Sequence, residues 1–299
     1  MSIQANELKK SLDRLSVGNQ ADWIPRLAAE GRECITLAVT SGKGGVGKTH
    51  FSLNLALALQ ELSKRVLLVD TDLGLSNIDI MLGISPPYSL SDVLFDGLDI
   101  RRAVYSVPAG LEILPARNGL AQLANLDPES MQNLIHGFKN LEADYDFMIL
   151  DTGAGIHTQT TAFVLAARET ILILTPDPTS LVDAYSMIKL ISRHQPAKKI
   201  HVLINMVKNA HEADHVFSQL TELTRKFLKK NLHFLGFLTY DSIVVSSIRH
   251  QKPGLFLDSH SRYRQDLLMI RQNLTDAPAR PLAHSFSQRL MGLLKTKKL

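Results

Sequence analysis

The sequence predicts a doubly wound α/β fold: a mostly parallel sheet with helices on both faces. Three observations carry this. Six short runs are apolar almost throughout: ITLAVT (35–40), VLLVD (66–70), FMILD (147–151), TILILT (170–175), HVLINM (201–206) and LHFLGFL (232–238). Stretches with helical patterning separate them, at about 49–62, 128–141, 158–167, 179–194 and 211–229. Strands without an outward polar face must be covered on both sides, and alternation with helices achieves that in a parallel sheet. Finally, a glycine-rich stretch, Asp70, Asp151 and Asn205 all fall at the carboxyl ends of these runs, where doubly wound sheets place their ligands.

Taken in order, ITLAVT reads as the first strand because β-branched residues lead directly into glycines. From Thr49 to about Leu62, Leu53, Leu55, Ala56, Leu59 and Leu62 make the first helix apolar. VLLVD and FMILD each end in an aspartate after four apolar residues, as buried strands delivering a carboxylate to the sheet rim. The later runs repeat the strand–helix alternation. There is no internal repeat and no low-complexity segment.

Of 299 residues, 45% are hydrophobic and 21% charged, the balance of a globular chain with a sizeable core. The expected division is an N-terminal extension (1–32), one nucleotide-binding domain (33–276) and a basic C-terminal helix (277–299). No apolar run reaches the length of a membrane span. The opening MSIQANELKKSLDRL carries charge throughout, so no secretory signal is expected. The lone Cys34 allows no internal disulfide, which suits a reducing cytoplasm, and excludes a cysteine-ligated cluster within one chain. The net charge of +4 belongs to the tail: residues 277–299 hold five cations and no acid. The rest of the chain is therefore slightly acidic, which argues against a basic DNA-binding body.

SGKGGVGKTH (41–50) contains Gly42-Lys43-Gly44-Gly45-Val46-Gly47-Lys48-Thr49, which fits G-x-x-x-x-G-K-[ST]. Glycines let backbone N–H groups approach phosphate oxygens closely. A helix starting near Lys48 aims its N-terminal N–H groups at the anion. Lys48 is placed to reach the terminal phosphates, and the Thr49 hydroxyl to ligate Mg2+. His50 stands next in the loop and reads as a helix-face contact rather than a base. One lysine suffices for a phosphate, and Lys43 is a second.

The form K-G-G-x-G-K-T resembles the deviant phosphate loop of the MinD/ParA family of ATPases. That resemblance implies ATP and Mg2+ as ligands, an ATP-dependent homodimer, and a role for Lys43 on the phosphates of the partner subunit's nucleotide. It makes Asp72 the carboxylate that orients the attacking water, Asp70 a neighbour in the magnesium shell, and Asp151 the Walker B acid. Gly153 and Gly155 then belong to a second switch, which here lacks the proline common in the family. Asn205 matches the asparagine that reads the adenine edge. TPDPTSLVDAY (175–185), with Asp177 and Asp183, resembles the segment near the base and the dimer interface. The resemblance spans roughly residues 33–260.

DTDLGLSNIDIMLGI (70–84), SLSDVLFDG (89–97) and TPDPTSLVDAYSMIKLI (175–191) resemble the FlhG/FleN branch of flagellar-number regulators. This implies partners: a flagellar GTPase of the signal-recognition-particle (SRP) type, a sigma54-type flagellar activator and C-ring components. The branch's N-terminal partner element finds only Gln20, Ala21 and Arg26 here. Leu8, Leu12 and Leu15 suggest a short helix in that extension, which also holds the sole tryptophan, Trp23. Near the other end, Phe286, Leu290, Leu293 and Leu294 share a helical stripe beside Arg289, Lys295, Lys297 and Lys298. An apolar face with clustered lysines suits an interfacial helix on inner-membrane lipids, each lysine contributing about 1 kcal/mol near anionic lipid. The expected reading is a switch ATPase cycling between cytoplasm and membrane. Other readings are a partitioning ATPase and an anti-activator that mainly binds ATP.

Overall fold

The computed structural model describes residues 33–72, 77–107, 110–116, 128–252, 261–275 and 284–296. The expectations for Trp23, the N-terminal helix and the element at 19–26 lie outside the described residues, as do Lys297 and Lys298. In chain order the elements are β1 (Ile35–Ser41), α1 (Lys48–Gln60), β2 (Val66–Thr71), α2 (Ile78–Leu82), α3 (Leu90–Phe95), α4 (Ile100–Ala103), β3 (Tyr105–Ser106) and β4 (Glu112–Leu114). They continue with α5 (Pro128–Asp144), β5 (Phe147–Ala154), α6 (Thr158–Ala166), β6 (Glu169–Leu174), α7 (Pro178–His194), β7 (Ile200–Val207) and α8 (Ala210–Leu228). The last are β8 (His233–Thr239), α9 (Ser242–Arg249), α10 (Arg262–Thr275) and α11 (Phe286–Thr296).

Eight strands form one sheet in the order β3-β4-β2-β5-β1-β6-β7-β8. All neighbours are parallel except β3 and β4. The fold is the doubly wound one expected, and the six apolar runs are its six long strands. Successive residues of each strand feed opposite layers. Leu37, Val39, Leu68, Ile149, Ile171 and Ile173 pack with α1 and α10, while Ala38, Leu67, Val69, Leu150, Leu172 and Ile204 pack with α5, α6, α7 and α8. Both faces are thus buried, which is why the strands show no polar alternation. Leu53, Leu55, Leu57 and Leu59 are buried too, so α1 is enclosed, and its first turn is held rigidly at the rim of the sheet.

The basic C-terminal segment contains helix α11, and its apolar stripe is turned against the core. Phe286 and Leu290 are buried, and Leu293 and Leu294 pack against the same core. The Phe286 ring meets Phe138 edge-on at 5.3 Å. The stripe turns inward because α5 and α6 offer it an apolar seat and a polar clamp. Glu142 accepts from the backbone N–H groups of Phe286 (2.6 Å) and Ser287 (3.1 Å) and from the Ser287 hydroxyl (2.6 Å). Arg289 donates to the Ala166 carbonyl at 2.6 Å, at the end of α6. A carboxylate at a helix N-terminus satisfies otherwise orphaned donors.

Glu142→Ala removes that clamp. Losing such a cap costs about 1 kcal/mol, so amide exchange across residues 286–290 should quicken about fivefold or more, measured by hydrogen–deuterium exchange, with the rest of the sheet unchanged.

Candidate functional site

The glycine-rich loop connects β1 to α1, and its conformation depends on lacking side chains. Gly45 and Gly47 have φ of 77° and 90°, the left-handed region that favours glycine. At Gly42 a Cβ would lie 2.3 Å from the Asp183 backbone of α7, and at Gly47 it would lie 2.5 Å from the Asn205 amide nitrogen. By contrast, a Cβ on Gly44 or Gly45 would meet nothing within 4 Å. The loop is therefore gripped from outside at 42 and 47, and open at 44 and 45, where a phosphate-sized group can approach the backbone.

Lys48 and Asp151 are buried together beside this loop, at 8% and 1% exposure. Burial lowers the Lys48 pKa, and the neighbouring Asp151 and Asp72 oppose that shift. Burial pushes the Asp151 carboxyl up to about 6, against the stabilising hydroxyls of Thr49 and Ser52 and the charge of Lys48. Ser52 donates to Asp151 at 2.8 Å. Ser52 was not anticipated from sequence, although a serine four residues after Lys48 on an otherwise apolar helix was the available signal. Asp70 sits in register with Asp151 on the adjacent strand. Its two carboxylate oxygens accept from the backbone N–H groups of Asp72 (2.9 Å) and Asn77 (3.3 Å). Asp72 faces β5: its Oδ1 is 3.3 Å from where a Gly153 Cβ would stand, and Thr160 Oγ1 is 3.4 Å from the same point. The end of β5 is tied to β1 by the Gly155 N–H donating to the Ser41 carbonyl at 3.0 Å.

The structure thus brings together the loop, Lys48, Thr49, Asp70, Asp72 and Asp151. The donor set suits a nucleotide with a hard cation: backbone N–H groups and a buried ammonium for phosphates, hydroxyl and carboxylate oxygens for Mg2+. Three expected residues stand differently from a simple reading. Lys43 bonds within its own chain, to Asp177 (3.2 Å) and Thr179 (2.8 Å) at the start of α7. The hydroxyls of Thr175 and Thr179 hold the Asp177 carboxyl well below the usual carboxylate range. Asn205 donates to the Val46 carbonyl at 2.7 Å and accepts from the Met206 N–H at 2.9 Å, so its amide braces the phosphate loop. The His50 ring is buried among Tyr263, Ser247 and Asn54, so only its backbone N–H is offered to a phosphate.

A strand–loop–helix unit gripping a buried lysine, with carboxylates at the ends of two neighbouring strands, defines a phosphate-loop nucleotide-binding protein. A family profile described as the CobQ/CobB/MinD/ParA nucleotide binding domain matches residues 37–254, and the chain belongs to that family. It is 37% identical over 250 residues to the antiactivator FleN of Pseudomonas aeruginosa, covering 83% of this chain and 89% of that protein. It is 29% identical over 217 residues to the flagellum site-determining protein YlxH of Helicobacter pylori, covering 72% and 73%. In fold it is similar to the septum site-determining protein MinD of Pyrococcus horikoshii, with a TM-score of 0.67 and 23% identity over 81% of this chain and 96% of that one.

Because the folded pKa of Asp151 is raised, its contribution favours the nucleotide-free fold below about pH 4 and is lost as pH rises through about 6. Asp151→Asn should therefore raise the Tm of the nucleotide-free protein at pH 7.5, with the gain shrinking toward pH 4.5, in calorimetry across that range. The same variant should lose Mg2+-dependent nucleotide binding.

Proposed function

We propose that this protein is a Mg2+-dependent ATPase that works as a dimerising switch in the control of flagellar number or placement. The observation that carries the chemistry is the buried Lys48–Asp151 pair under a glycine loop open at residues 44 and 45. The printed names of its relatives, an antiactivator FleN and a flagellum site-determining protein, support the cellular role. The Pyrococcus horikoshii MinD, which is complexed with Mg-ADP, supports the ligand.

In this reading the N–H groups of residues 44–49 and the Lys48 ammonium bind phosphates. Thr49 and Asp151 hold Mg2+, with Asp70 beside them in the magnesium shell. Asp72 orients the attacking water, and Gly153 leaves room for its carboxylate. Lys43 leaves Asp177 and Thr179 and places its charge on the partner subunit's nucleotide. Its present ion pair is exposed at both ends, 43% and 40%, and worth at most about 1 kcal/mol, so it is readily exchanged. Asn205 anchors the loop and offers its remaining amide proton to adenine. The partners are the flagellar SRP-type GTPase, the sigma54-type activator and C-ring components. Membrane attachment requires α11 to leave its seat on α5 and α6 and present Phe286, Leu290, Leu293 and Leu294 to lipid.

The cellular test is to delete the gene and count flagella per cell. More or misplaced filaments support the role, and an unchanged count refutes it while leaving the ATPase standing. For the enzyme, Asp72→Ala should lower kcat about 100-fold or more while ATP binding is kept, since it removes an interaction made in the transition state. Lys43→Ala should leave ADP binding to the monomer intact and abolish ATP-dependent dimerisation, read by light scattering.

A further inference from the structure

A polar chain, buried at His50 and Ser247 and exposed at Gln251, links the phosphate-loop helix to α2. His50 follows Thr49 in the first turn of α1. Its ring is 5% exposed, with Nδ1 3.0 Å from the Tyr263 hydroxyl of α10 and Nε2 3.2 Å from the Ser247 hydroxyl of α9. Ser247 spends its own proton on the Val244 carbonyl at 2.8 Å. A ring with Nε2 donating to Ser247 and Nδ1 accepting from Tyr263 fits these contacts, and Asn54 Nδ2 lies 3.4 Å from Nδ1 and 3.3 Å from Nε2.

Ser247 sits within α9, and the end of α9 reaches α2. The Lys252 N–H donates to the Ser247 carbonyl at 2.9 Å, closing the helix around Gln251. Gln251 has a φ of 54°, a left-handed conformation normally left to glycine at this place. Held so, its amide donates to the Ile80 carbonyl at 2.9 Å. Gly83, the end of α2, lies directly under it: a Cβ there would be 2.9 Å from Gln251 Oε1. Ser63, Met206 and Lys229 share this left-handed conformation, and what sets Gln251 apart is its side-chain bond to α2.

We propose that His50, Ser247 and Gln251 form a positioning arm that sets α2, and with it the segment carrying Asp72, relative to the phosphate loop. The inference rests on the ATPase reading for its catalytic consequence, though not for the arm itself. Asp70 ties Asn77 to Asp72 at one end of α2, and Gln251 ties Ile80 and Gly83 at the other. The phosphate loop and the water-orienting carboxylate then share one frame. His50 and Gln251 are positioning residues, not catalytic ones.

The test uses the full-length protein and the variants Gln251→Gly, His50→Leu, His50→Gln and the double variant. Gln251→Gly keeps the left-handed turn but loses the amide. The arm predicts about tenfold faster amide exchange at residues 81–84 in Gln251→Gly and in His50→Leu. It also predicts kcat about tenfold lower, with ATP Kd and KM within twofold of wild type. The double variant should be no worse than either single one, because both cut the same arm. His50→Gln, which can still donate and accept, should recover most of kcat. Should His50→Leu fail to fold, Ser247→Ala makes the same comparison. A Gln251→Gly protein with raised Tm but unchanged exchange and kcat overturns the proposal, as do multiplying effects in the double variant. If wild type hydrolyses no ATP while exchange at 81–84 still quickens, the ATPase reading fails and the arm stands.

Discussion

The nucleotide site depends on burying an ammonium and a carboxylate at the same strand ends. Lys48 and Asp151 are nearly sealed from water, and each is pushed toward its neutral form by that burial. Neither can be well solvated, so each is held by what the fold supplies: the mutual charge, the hydroxyls of Thr49 and Ser52, and the enclosed first turn of α1. A buried pair of this sort is poor stabilisation for an empty protein. It is a prepared complement for a charged ligand, whose phosphates and cation supply the missing counter-charges in a low-dielectric setting. The grip of α7 on Gly42 and of Asn205 on Gly47 and Val46 keeps that complement in shape.

Most of the frame was legible in the sequence for a simple reason. Strands covered on both faces must be apolar at every position, and a loop that wraps phosphate must be glycine-rich at fixed spacing. Both leave dense local signals. What stayed hidden was short or distant. β3 has two residues and β4 three, too few for any periodicity. Helix α10 does carry Tyr263, Leu267 and Ile270 at helical spacing, but arginines and glutamines dilute the pattern. The ring of His50 takes its meaning from Ser247 and Tyr263, and Lys43 from Asp177, all far along the chain. Chain spacing says nothing about such pairs.

The C-terminal helix shows the same limit in another form. An apolar stripe next to lysines predicts that something apolar will cover it, but not what. Here the cover is the protein itself, through Phe138 and the clamp of Glu142. A membrane would have to compete with that seat. Switching between the two would require the apolar contact and the carboxylate clamp to be given up together.

The two margins of the sheet bear on how copies of this chain can meet. At one side β3 is only two residues long and runs against its neighbour. At the other, β8 is kept irregular by register shifts against β7 and by Gly236, whose φ is 148°. Short or distorted margins make poor templates for adding another strand. Sheet-to-sheet extension, the usual route by which α/β chains stick together when crowded, is thereby discouraged.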